Sequence, residues 1–329
     1  MTRDVLVTGG AGYIGSVIVD QLIELGWGVV VADNLSRGHR AAIAPQATFV
    51  HADVGDRAAV SALLADRPVE AIIHLAAFAL VAESVREPAK YRANNVTGAR
   101  VLLECAVAAG IRRFVFSSSC AVYGHPARVP ITEDSAPAPV NPYGETKRDG
   151  ERLLAEFGER DGLASVSLRY FNAAGATASR GEDHDPETHL IPNVLRVARD
   201  GGDGVEVFGT DYPTLDGTAV RDYIHVADIA DAHVRALDVP LDGRGPIALN
   251  LGTGTGHSVR DVVAAARAIT GAPLPILARP RRPGDPPALV AAMGRAAATL
   301  GWRPVRSSLD DILRSAWDWH QSHPRGYRS

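Results

Sequence analysis

The segment Thr8-Gly9-Gly10-Ala11-Gly12-Tyr13-Ile14-Gly15-Ser16 follows an apolar run that begins almost at the N-terminus of the chain. Its glycines at positions 9, 12 and 15 permit a tight turn and let the backbone approach a pyrophosphate closely. The helix predicted next would offer its N-terminal N–H groups and its dipole to that anion. Glycines of this spacing also occur in purely structural turns, but a place between a strand and a helix favours nucleotide binding.

Apolar runs alternate with helix-length segments through the first half of the chain. The runs are rich in Val, Ile and Phe and show little polar alternation, which is typical of strands buried on both faces of a parallel sheet. The predicted strands are Asp4–Thr8, Gly28–Ala32, Thr48–His51, Ala71–Leu75, Arg113–Ser117 and Ser165–Tyr170. The predicted helices are Ser16–Leu25, Arg57–Asp66, Ala93–Ala109 and Pro142–Arg160. This alternation predicts an α/β fold with a Rossmann-type, doubly wound parallel sheet.

The composition of the chain changes after about Asn172, where Gly, Pro and Asp become frequent and long loops are predicted. Later helices are predicted at Val226–Leu237, Val259–Thr270 and Leu309–His320. We expect residues 1–172 to form the nucleotide-binding domain, joined by returning segments from about 215–250. Residues 173–329 would then form mainly a smaller C-terminal substrate-binding lobe.

Composition and charge narrow the class of protein. The 329 residues include 46% hydrophobic and 22% charged side chains, as in an ordinary soluble enzyme. A net charge of −4 gives no basic surface for nucleic acid or an acidic membrane. The two cysteines, Cys105 and Cys120, form no paired motif, and no apolar segment approaches the ~20 residues of a membrane span. We therefore expect a cytoplasmic protein that binds neither nucleic acid nor membrane.

Carboxylates follow the second and third predicted strands. Asp33 lies eighteen residues after Gly15, where it can accept hydrogen bonds from an adenosine ribose and would repel a 2′-phosphate. This favours NAD over NADP, although Arg37 nearby is a residue that can accommodate that phosphate. Asp53 ends the third strand, where it would reach the adenine amino group or, alternatively, cap a helix or turn.

A tyrosine and a lysine one helical turn apart form the second motif. Lys147 is one of only two lysines, the other being Lys90, whereas the remaining thirty-two basic residues are arginine. It follows Tyr143 by four positions, so both side chains would lie on one helix face. A phenol has a pKa near ~10 and is a poor base at neutral pH, but a nearby positive charge favours its phenolate form. The alternative is an incidental pair on a surface helix.

A serine run, Ser117-Ser118-Ser119, ends the predicted fifth strand. The carboxyl ends of parallel strands face the ligand crevice in open α/β sheets, so a hydroxyl there could bond the reacting oxygen of a substrate. Three adjacent serines cannot all do so, and one or two would serve as caps or loop bonds. The run alone does not say which one faces the ligand.

Together, these three motifs resemble the extended short-chain dehydrogenase/reductase superfamily. Further segments make the chain similar to the UDP-glucose 4-epimerase family from Val5 to nearly its last residue. They are Arg169-Tyr170-Phe171-Asn172, Asp216 to Val226, Asn250-Leu251-Gly252 and Arg281-Arg282-Pro283-Gly284-Asp285. The resemblance implies reversible 4-epimerisation of a UDP-hexose, UDP-galactose to UDP-glucose, through a 4-keto intermediate with tightly bound NAD as transient hydride acceptor. It also implies a homodimer that pairs through the helices Ala93–Ala109 and Pro142–Arg160.

The resemblance also assigns roles to residues. Ser119 would contact the sugar 4-hydroxyl, Tyr143 would be the base, and Lys147 would bind the nicotinamide ribose and lower the tyrosine pKa. The implied cofactor-binding residues are Gly9, Gly12, Tyr13, Ile14, Gly15, Asp33, Asn34, Asp53, Val54, Leu75, Ala76, Ala77, Asn94, Tyr143, Lys147 and Tyr170. The implied substrate-binding residues are Ser119, Tyr143, Asn172, His189, Leu190, Arg221, Arg282, Asp285 and Leu289. No metal site is expected, because the histidines show no clustered spacing.

Departures from the family pattern leave alternatives open. Ala79 stands where some members place a lysine near the cofactor, so Lys147 and the nicotinium would be left to depress the Tyr143 pKa. Leu289 stands where a tyrosine excludes N-acetylated sugars in some relatives and smaller residues admit them, so UDP-N-acetylhexosamine is an alternative substrate. Family members that act on UDP-glucuronate or UDP-pentoses keep the same chemistry, and these sugars are further alternatives. His189 replaces an asparagine, and its contact is uncertain. Cys120 and the alanine after it replace the acid pair of sugar-nucleotide dehydratases, which disfavours dehydration.

A different class of function is a catalytically silent Rossmann sensor that binds NAD(H) without turnover. Such a protein would be expected to lose the tyrosine–lysine pair, yet Tyr143 and Lys147 are both present.

Overall fold

A computed structural model describes the protein over residues 3–240, 245–282 and 284–328, so Pro283 of the arginine-rich motif lies outside the described residues. The strands are β1 (Asp4–Thr8), β2 (Gly28–Asp33), β3 (Thr48–His51), β4 (Ala71–His74), β5 (Arg113–Ser119), β6 (Ala164–Tyr170), β7 (Asn172–Ala174), β8 (Val205–Phe208), β9 (Val220–Arg221), β10 (Tyr223–His225), β11 (Ile247–Leu251), β12 (His257–Ser258), β13 (Ile276–Arg279) and β14 (Ala288–Leu289). Seven of these form a parallel sheet in the order β11-β6-β5-β4-β1-β2-β3. The predicted α/β fold with a doubly wound parallel sheet is confirmed.

Helices cover both faces of this sheet. They are α1 (Tyr13–Glu24), α2 (Arg57–Asp66), α3 (Val81–Arg86), α4 (Pro88–Arg92), α5 (Ala99–Ala108), α6 (Pro142–Asp161), α7 (Leu190–Asp200), α8 (Val226–Ala236), α9 (Val259–Thr270), α10 (Gly294–Leu300) and α11 (Leu309–Ser322). Apolar side chains of α1 and α8 form the core on one face, and those of α2, α5 and α6 form the core on the other. Because the strands are buried on both faces, they lack polar alternation.

The strand order places a crevice at the carboxyl ends of β1 and β4. The chain proceeds from β1 outward through β2 and β3, and then returns to place β4 on the other side of β1. Ligands bind at such a reversal in open α/β sheets. The glycine motif follows β1, and Leu75 follows β4, where its N–H donates to the carbonyl of Thr8. Both segments therefore border the same crevice.

Three predicted boundaries were wrong in ways that bear on the site. The first helix begins at Tyr13 and not at Ser16, because Gly12 adopts the extended conformation of an N-cap. The fifth strand continues through Ser119. The predicted helix Ala93–Ala109 is divided into a π-helical segment, Ala93–Gly98, and the α-helix α5.

The rest of the chain adds a third apolar core and three small sheets. The third core is built from α7, α9 and α11 together with β8 and β13. Strand β9 pairs with β12 and β14, and β7 pairs with β10. Within the described ranges, no helix combines the length and the apolar character needed to cross a bilayer.

Candidate active site

The glycine turn is shaped by close packing against the β4 end of the sheet. Gly9 has φ +75°, and a Cβ there would lie 2.6 Å from the backbone nitrogen of Ala76. A Cβ on Gly15 would overlap the carbonyl oxygen of Gly9. Gly12 caps α1 without a side chain, and the first turn of this helix has no acidic residue. The turn therefore presents backbone N–H groups to an anion and fits the pyrophosphate of a dinucleotide.

Asp33 is fixed at the carboxyl end of β2, beside the glycine turn. Its carboxylate accepts hydrogen bonds from the backbone nitrogens of Ala11 at 3.0 Å and Leu35 at 2.8 Å. Burial raises its pKa, and these two hydrogen bonds oppose the rise. Arg37 is bound elsewhere, to the Glu83 carboxylate at 3.1 Å and to the Asp185 carbonyl at 2.5 Å. Both hydrogen bonds join Arg37 to partners other than Asp33, which supports NAD over NADP.

Asp53 is joined to the loop that follows β2. It accepts a hydrogen bond from the Asn34 amide at 2.9 Å and one from the Gly55 N–H at 2.8 Å. Val54 beside it is buried in the sheet core. Asp53 therefore stabilises a turn, which is one of the two interpretations of the sequence, and its contact with an adenine stays a prediction.

Asn94, which is expected to contact the cofactor, is followed by a second asparagine, Asn95, whose role was not predicted from the sequence. Asn94 donates to the Asn95 side chain at 2.9 Å. Asn95 is buried, and its amide pairs with both backbone groups of Phe78 at 2.9 Å and donates to the Thr146 hydroxyl at 3.1 Å. It therefore ties the segment after β4 to the helix of the tyrosine–lysine pair. The only signal was the presence of two adjacent asparagines in a helical stretch.

Tyr143 and Lys147 lie buried on one face of α6, with the lysine nitrogen 5.8 Å from the tyrosine ring centroid. The Asn141 side chain caps α6 by accepting from the Gly144 N–H at 2.9 Å. The Lys147 ammonium donates to the Ser117 carbonyl at 2.7 Å. The arrangement at i and i+4 is the one that the sequence predicts.

Burial controls the ionisation of both side chains. It lowers the pKa of Lys147 to about 8, and the Glu151 charge opposes that change. Burial also raises the pKa of Tyr143, as Tyr170 does to a smaller extent, whereas hydrogen bonding with Ser119 lowers it. The expected lowering of the tyrosine pKa by Lys147 is therefore not found in the protein chain by itself. The desolvation of a buried phenolate outweighs the influence of a lysine that is itself desolvated and bound to a carbonyl.

The structure distinguishes the three serines. Ser117 hydrogen-bonds the Tyr170 hydroxyl, and Ser118 donates to the Glu151 carboxylate at 2.6 Å. Ser119 accepts from the Ala121 N–H at 3.2 Å as the cap of a short 3-10 helix, and it interacts with Tyr143. Of the three serines, Ser119 is thus the one that lies against Tyr143, while Tyr170, expected at the cofactor, is bonded to Ser117.

A buried polar network supports α6 from behind, and its role was not predicted. Arg169 on β6 makes a two-pronged ion pair with Glu151 on α6, with distances of 2.8 and 2.5 Å. The Tyr123 hydroxyl accepts from Arg169 at 2.9 Å and donates to Asn250 at 2.7 Å. Arg169 and Asn250 both lie in motifs that the sequence analysis singles out. They are 81 positions apart and become neighbours only because β6 pairs with β11 in the sheet.

Two of the expected nucleotide-sugar residues lie in the small sheet of β9, β12 and β14, and two more lie in the loop that precedes β14. Arg221 and Leu289 are register partners on β9 and β14, and Arg221 forms an ion pair with Asp285. The Arg282 guanidinium lies 4.1 Å from the Phe208 ring centroid, three residues before Asp285 in the same loop. Two arginines and a carboxylate near one another suit the binding of a diphosphate and a ribose.

Asn172, His189 and Leu190 occupy three different settings. The Asn172 N–H donates to the carbonyl of Asp222, next to Arg221. His189 caps α7 and contacts the carboxylates of Glu182 at 2.6 Å and Glu187 at 3.1 Å. Burial lowers its pKa, but the two carboxylates raise it well above the usual value. Leu190 packs against the third apolar core.

The expected absence of a metal site stays a prediction, but two histidines lie closer to one another's carboxylate partners than their sequence spacing indicated. Glu182, His184, Glu187 and His189 bring one ligand atom each within 4.8 Å of one another.

Known proteins share this fold and sequence. The model of the NAD-dependent epimerase/dehydratase family matches residues 5–252. The UDP-glucose 4-epimerase of Lactobacillus helveticus is 48% identical over 325 residues, which cover 98% of each chain. The crystal structure of UDP-glucose 4-epimerase from Brucella ovis in complex with NAD has a TM-score of 0.92 and 47% identity, and the match covers 96% of this chain and 98% of that chain. The structure from Bifidobacterium longum in complex with NAD⁺ and UDP has a TM-score of 0.93 and 37% identity, with coverage of 98% and 100%. The chain belongs to the NAD-dependent epimerase/dehydratase family.

Proposed function

We propose that the protein is an NAD-dependent UDP-sugar 4-epimerase that interconverts UDP-galactose and UDP-glucose. The observation that carries the proposal is the buried group of Ser119, Tyr143 and Lys147 at the crevice of the glycine turn. Relatives named UDP-glucose 4-epimerase match nearly the whole chain, which supports the same activity here. The Tyr143–Lys147 pair argues against a silent NAD(H) sensor.

The glycine turn and Asp33 would hold the dinucleotide. The backbone around Gly12 and the first turn of α1 would bind its pyrophosphate, and the Asp33 carboxylate would bind its adenosine ribose. Lys147 would bind the nicotinamide ribose from the opposite end of the crevice. When bound, NAD supplies a reversible two-electron acceptor for the C4 position of the sugar.

Tyr143 would take the proton of the sugar 4-hydroxyl and later return it. Ser119 would hold the same oxygen by a hydrogen bond, which fixes its distance from the phenol. Because burial raises the Tyr143 pKa, ionisation of the phenol requires positive charge close to it. Since Lys147 alone does not lower the Tyr143 pKa, its ammonium would supply only part of that charge, and the nicotinium of the bound cofactor would supply the rest.

Epimerisation requires a firmly held nucleotide and a sugar that can turn. Arg221 and Arg282 would bind the diphosphate, and Asp285 would bind the uridine ribose, which requires its ion pair with Arg221 to be shared with the ligand. Asn172 and Leu289 would then border the hexose. A 4-keto sugar held only through its nucleotide can present either face of C4 to the cofactor.

We propose that different parts of the chain bind the cofactor and the substrate. Residues 1–172, with returning segments from about 215–250, would bind NAD, and residues 173–329 would mainly bind the UDP-sugar. We also propose a homodimer paired through α5 and α6, and a cytoplasmic location, which the two free, buried cysteines support.

A substrate panel tests the function. Purified protein is incubated separately with UDP-galactose, UDP-N-acetylgalactosamine, UDP-glucuronate and UDP-xylose, and the products are separated by chromatography. We expect UDP-glucose from UDP-galactose without added NAD, and release of NAD on denaturation. Preferred turnover of another sugar would reassign the substrate, and the absence of any epimer with all four would contradict the proposal.

A further inference from the structure

The loop before α7 carries two histidines and two glutamates whose side chains converge on one another, and one of them, His189, is also an expected substrate residue. The Nδ1 atoms of His184 and His189 lie 3.1 and 2.6 Å from one carboxylate oxygen of Glu182. Glu187 lies 3.1 Å from His189 and 3.8 Å from His184. Each of the four residues offers one ligand atom, and these atoms all lie within 4.8 Å of one another.

These separations suit a tetrahedral metal ion. With bonds of about 2.0–2.1 Å, two ligand atoms on a tetrahedral zinc ion lie about 3.3 Å apart. The separations of 3.1 and 2.6 Å from Glu182 and of 3.1 Å between Glu187 and His189 lie somewhat below that value. The 3.8 Å contact with His184 is made by the other Glu187 oxygen, and one set of four ligand atoms lies within 4.8 Å. Imidazole nitrogen with carboxylate oxygen is a ligand set that Zn²⁺ accepts, whereas Mg²⁺ and Ca²⁺ prefer oxygen alone.

Burial and charge also favour a cation here. The side chains of Glu182 and Glu187 are only 5% and 9% exposed, and two adjacent buried carboxylates repel each other unless positive charge is close. The histidine side chains are 27% and 44% exposed, so the cluster can be reached from solvent. A divalent ion would displace the proton that these carboxylates favour on His189, and it would then neutralise both carboxylates while the two imidazoles bind it in their neutral form.

The loop is held in place on its flanks before any ion binds. His39 contacts the Asp183 carbonyl at 2.7 Å, and Arg37 donates to the Asp185 carbonyl at 2.5 Å. The His184 ring packs edge-on against Tyr13 of the glycine turn, with 6.2 Å between the ring centroids. The donors are therefore preorganised, and an ion there would fasten this loop to the segments that border the crevice.

We propose that Glu182, His184, Glu187 and His189 form a structural binding site for a Zn²⁺-like divalent ion. Four protein ligands fill a tetrahedral shell and leave no position for a reacting water, so the ion would stabilise the loop and take no part in catalysis. The inference does not depend on which sugar, if any, the protein epimerises.

The test is metal binding by tag-free protein that retains its cofactor. The protein is dialysed against a chelator and titrated with Co²⁺, which replaces zinc and reports tetrahedral coordination by its visible absorption. We expect one equivalent of Co²⁺ per chain, displaced by Zn²⁺, and weaker binding at lower pH because protons compete for the ligands. We expect Glu182→Gln and His184→Ala to weaken binding at least about 100-fold.

The matched control is His125→Ala, which removes an exposed histidine outside the cluster and should leave Co²⁺ binding unchanged. Glu187→Gln, nearly equal in shape to the native residue, serves as a second variant if the others fail to fold. Failure of the wild-type protein to bind stoichiometric Co²⁺, or equal binding by the variants, would overturn the proposal and leave hydrogen-bonded ion pairs only. Epimerase activity measured on the same samples separates this outcome from failure of the proposed function.

Discussion

At the scale of single residues, removal of the Tyr143 hydroxyl is the most direct test of the base assignment. We expect Tyr143→Phe to lower kcat by about 10²–10⁴, the usual contribution of a positioned acid–base group, while bound NAD is retained. Turnover of UDP-galactose and NAD released on denaturation are measured together. The matched control is Tyr327→Phe, which removes a hydroxyl that hydrogen-bonds the backbone of Gly181. Near-normal turnover by the Tyr143 variant would assign the proton transfer to another group.

The buried ammonium of Lys147 predicts a pH dependence of stability. Burial lowers its pKa from 10.5 to about 8, so between these values the unfolded chain binds more protons than the folded one. Stability attributable to Lys147 therefore rises with pH across that window, and its burial is most unfavourable below pH 8. Relative to Lys147→Met, wild-type Tm should improve as pH is raised from 7 to 10. A Tm difference that stays constant with pH would contradict the shifted pKa.

Residue roles were predictable where spacing fixes geometry. Tyr143 and Lys147 meet because four positions make one helical turn, and this holds in any tertiary setting. The choice of Ser119 over Ser117 and Ser118 was not available from the residues alone, since it depends on where β5 ends and what packs against it. Asn95 was missed for the same reason.

At the scale of elements, the ion pair between α6 and β6 should hold the helix of the catalytic residues in place. Glu151→Gln leaves the buried Arg169 charge without its partner, and loss of one member of a buried pair costs about 3–5 kcal/mol. The matched control is Glu206→Gln, whose partner Arg279 is exposed and whose loss should cost about 0–1 kcal/mol. Urea unfolding measures both, and equal effects would contradict a special role for the buried pair.

Strands and helices were predicted correctly from the sequence where burial alone decides their form. The six strands predicted from apolar runs are all present, because a strand covered on both faces needs no other signal. The helix expected at Ala93–Ala109 contains a π-helical segment, and Asn95 within it is hydrogen-bonded to residues distant in the sequence. An extra residue rotates the side chains that follow it by about 100°, and a segment of six residues is too short for the apolar pattern to show that shift.

At the scale of the whole molecule, the proposed pairing of α5 and α6 between two copies predicts both a mass and a sensitivity to charge. Arg100 on α5 and Glu156 on α6 form an ion pair at 2.8 Å with about two-fifths of each side chain exposed, so they mark the outer surface of these helices. We expect a mass near twice 34.7 kDa by sedimentation equilibrium.

Arg100→Glu should shift the protein toward monomer, because two adjacent carboxylates repel at the interface, and Arg100→Glu combined with Glu156→Arg should restore the dimer. The control reverses both charges of the exposed ion pair between Arg279 on β13 and Glu206 on β8, which lies outside α5 and α6. It should leave the mass unchanged. A wild-type mass of 34.7 kDa at every concentration would contradict the homodimer, and a dimer insensitive to Arg100→Glu would place its interface on another surface.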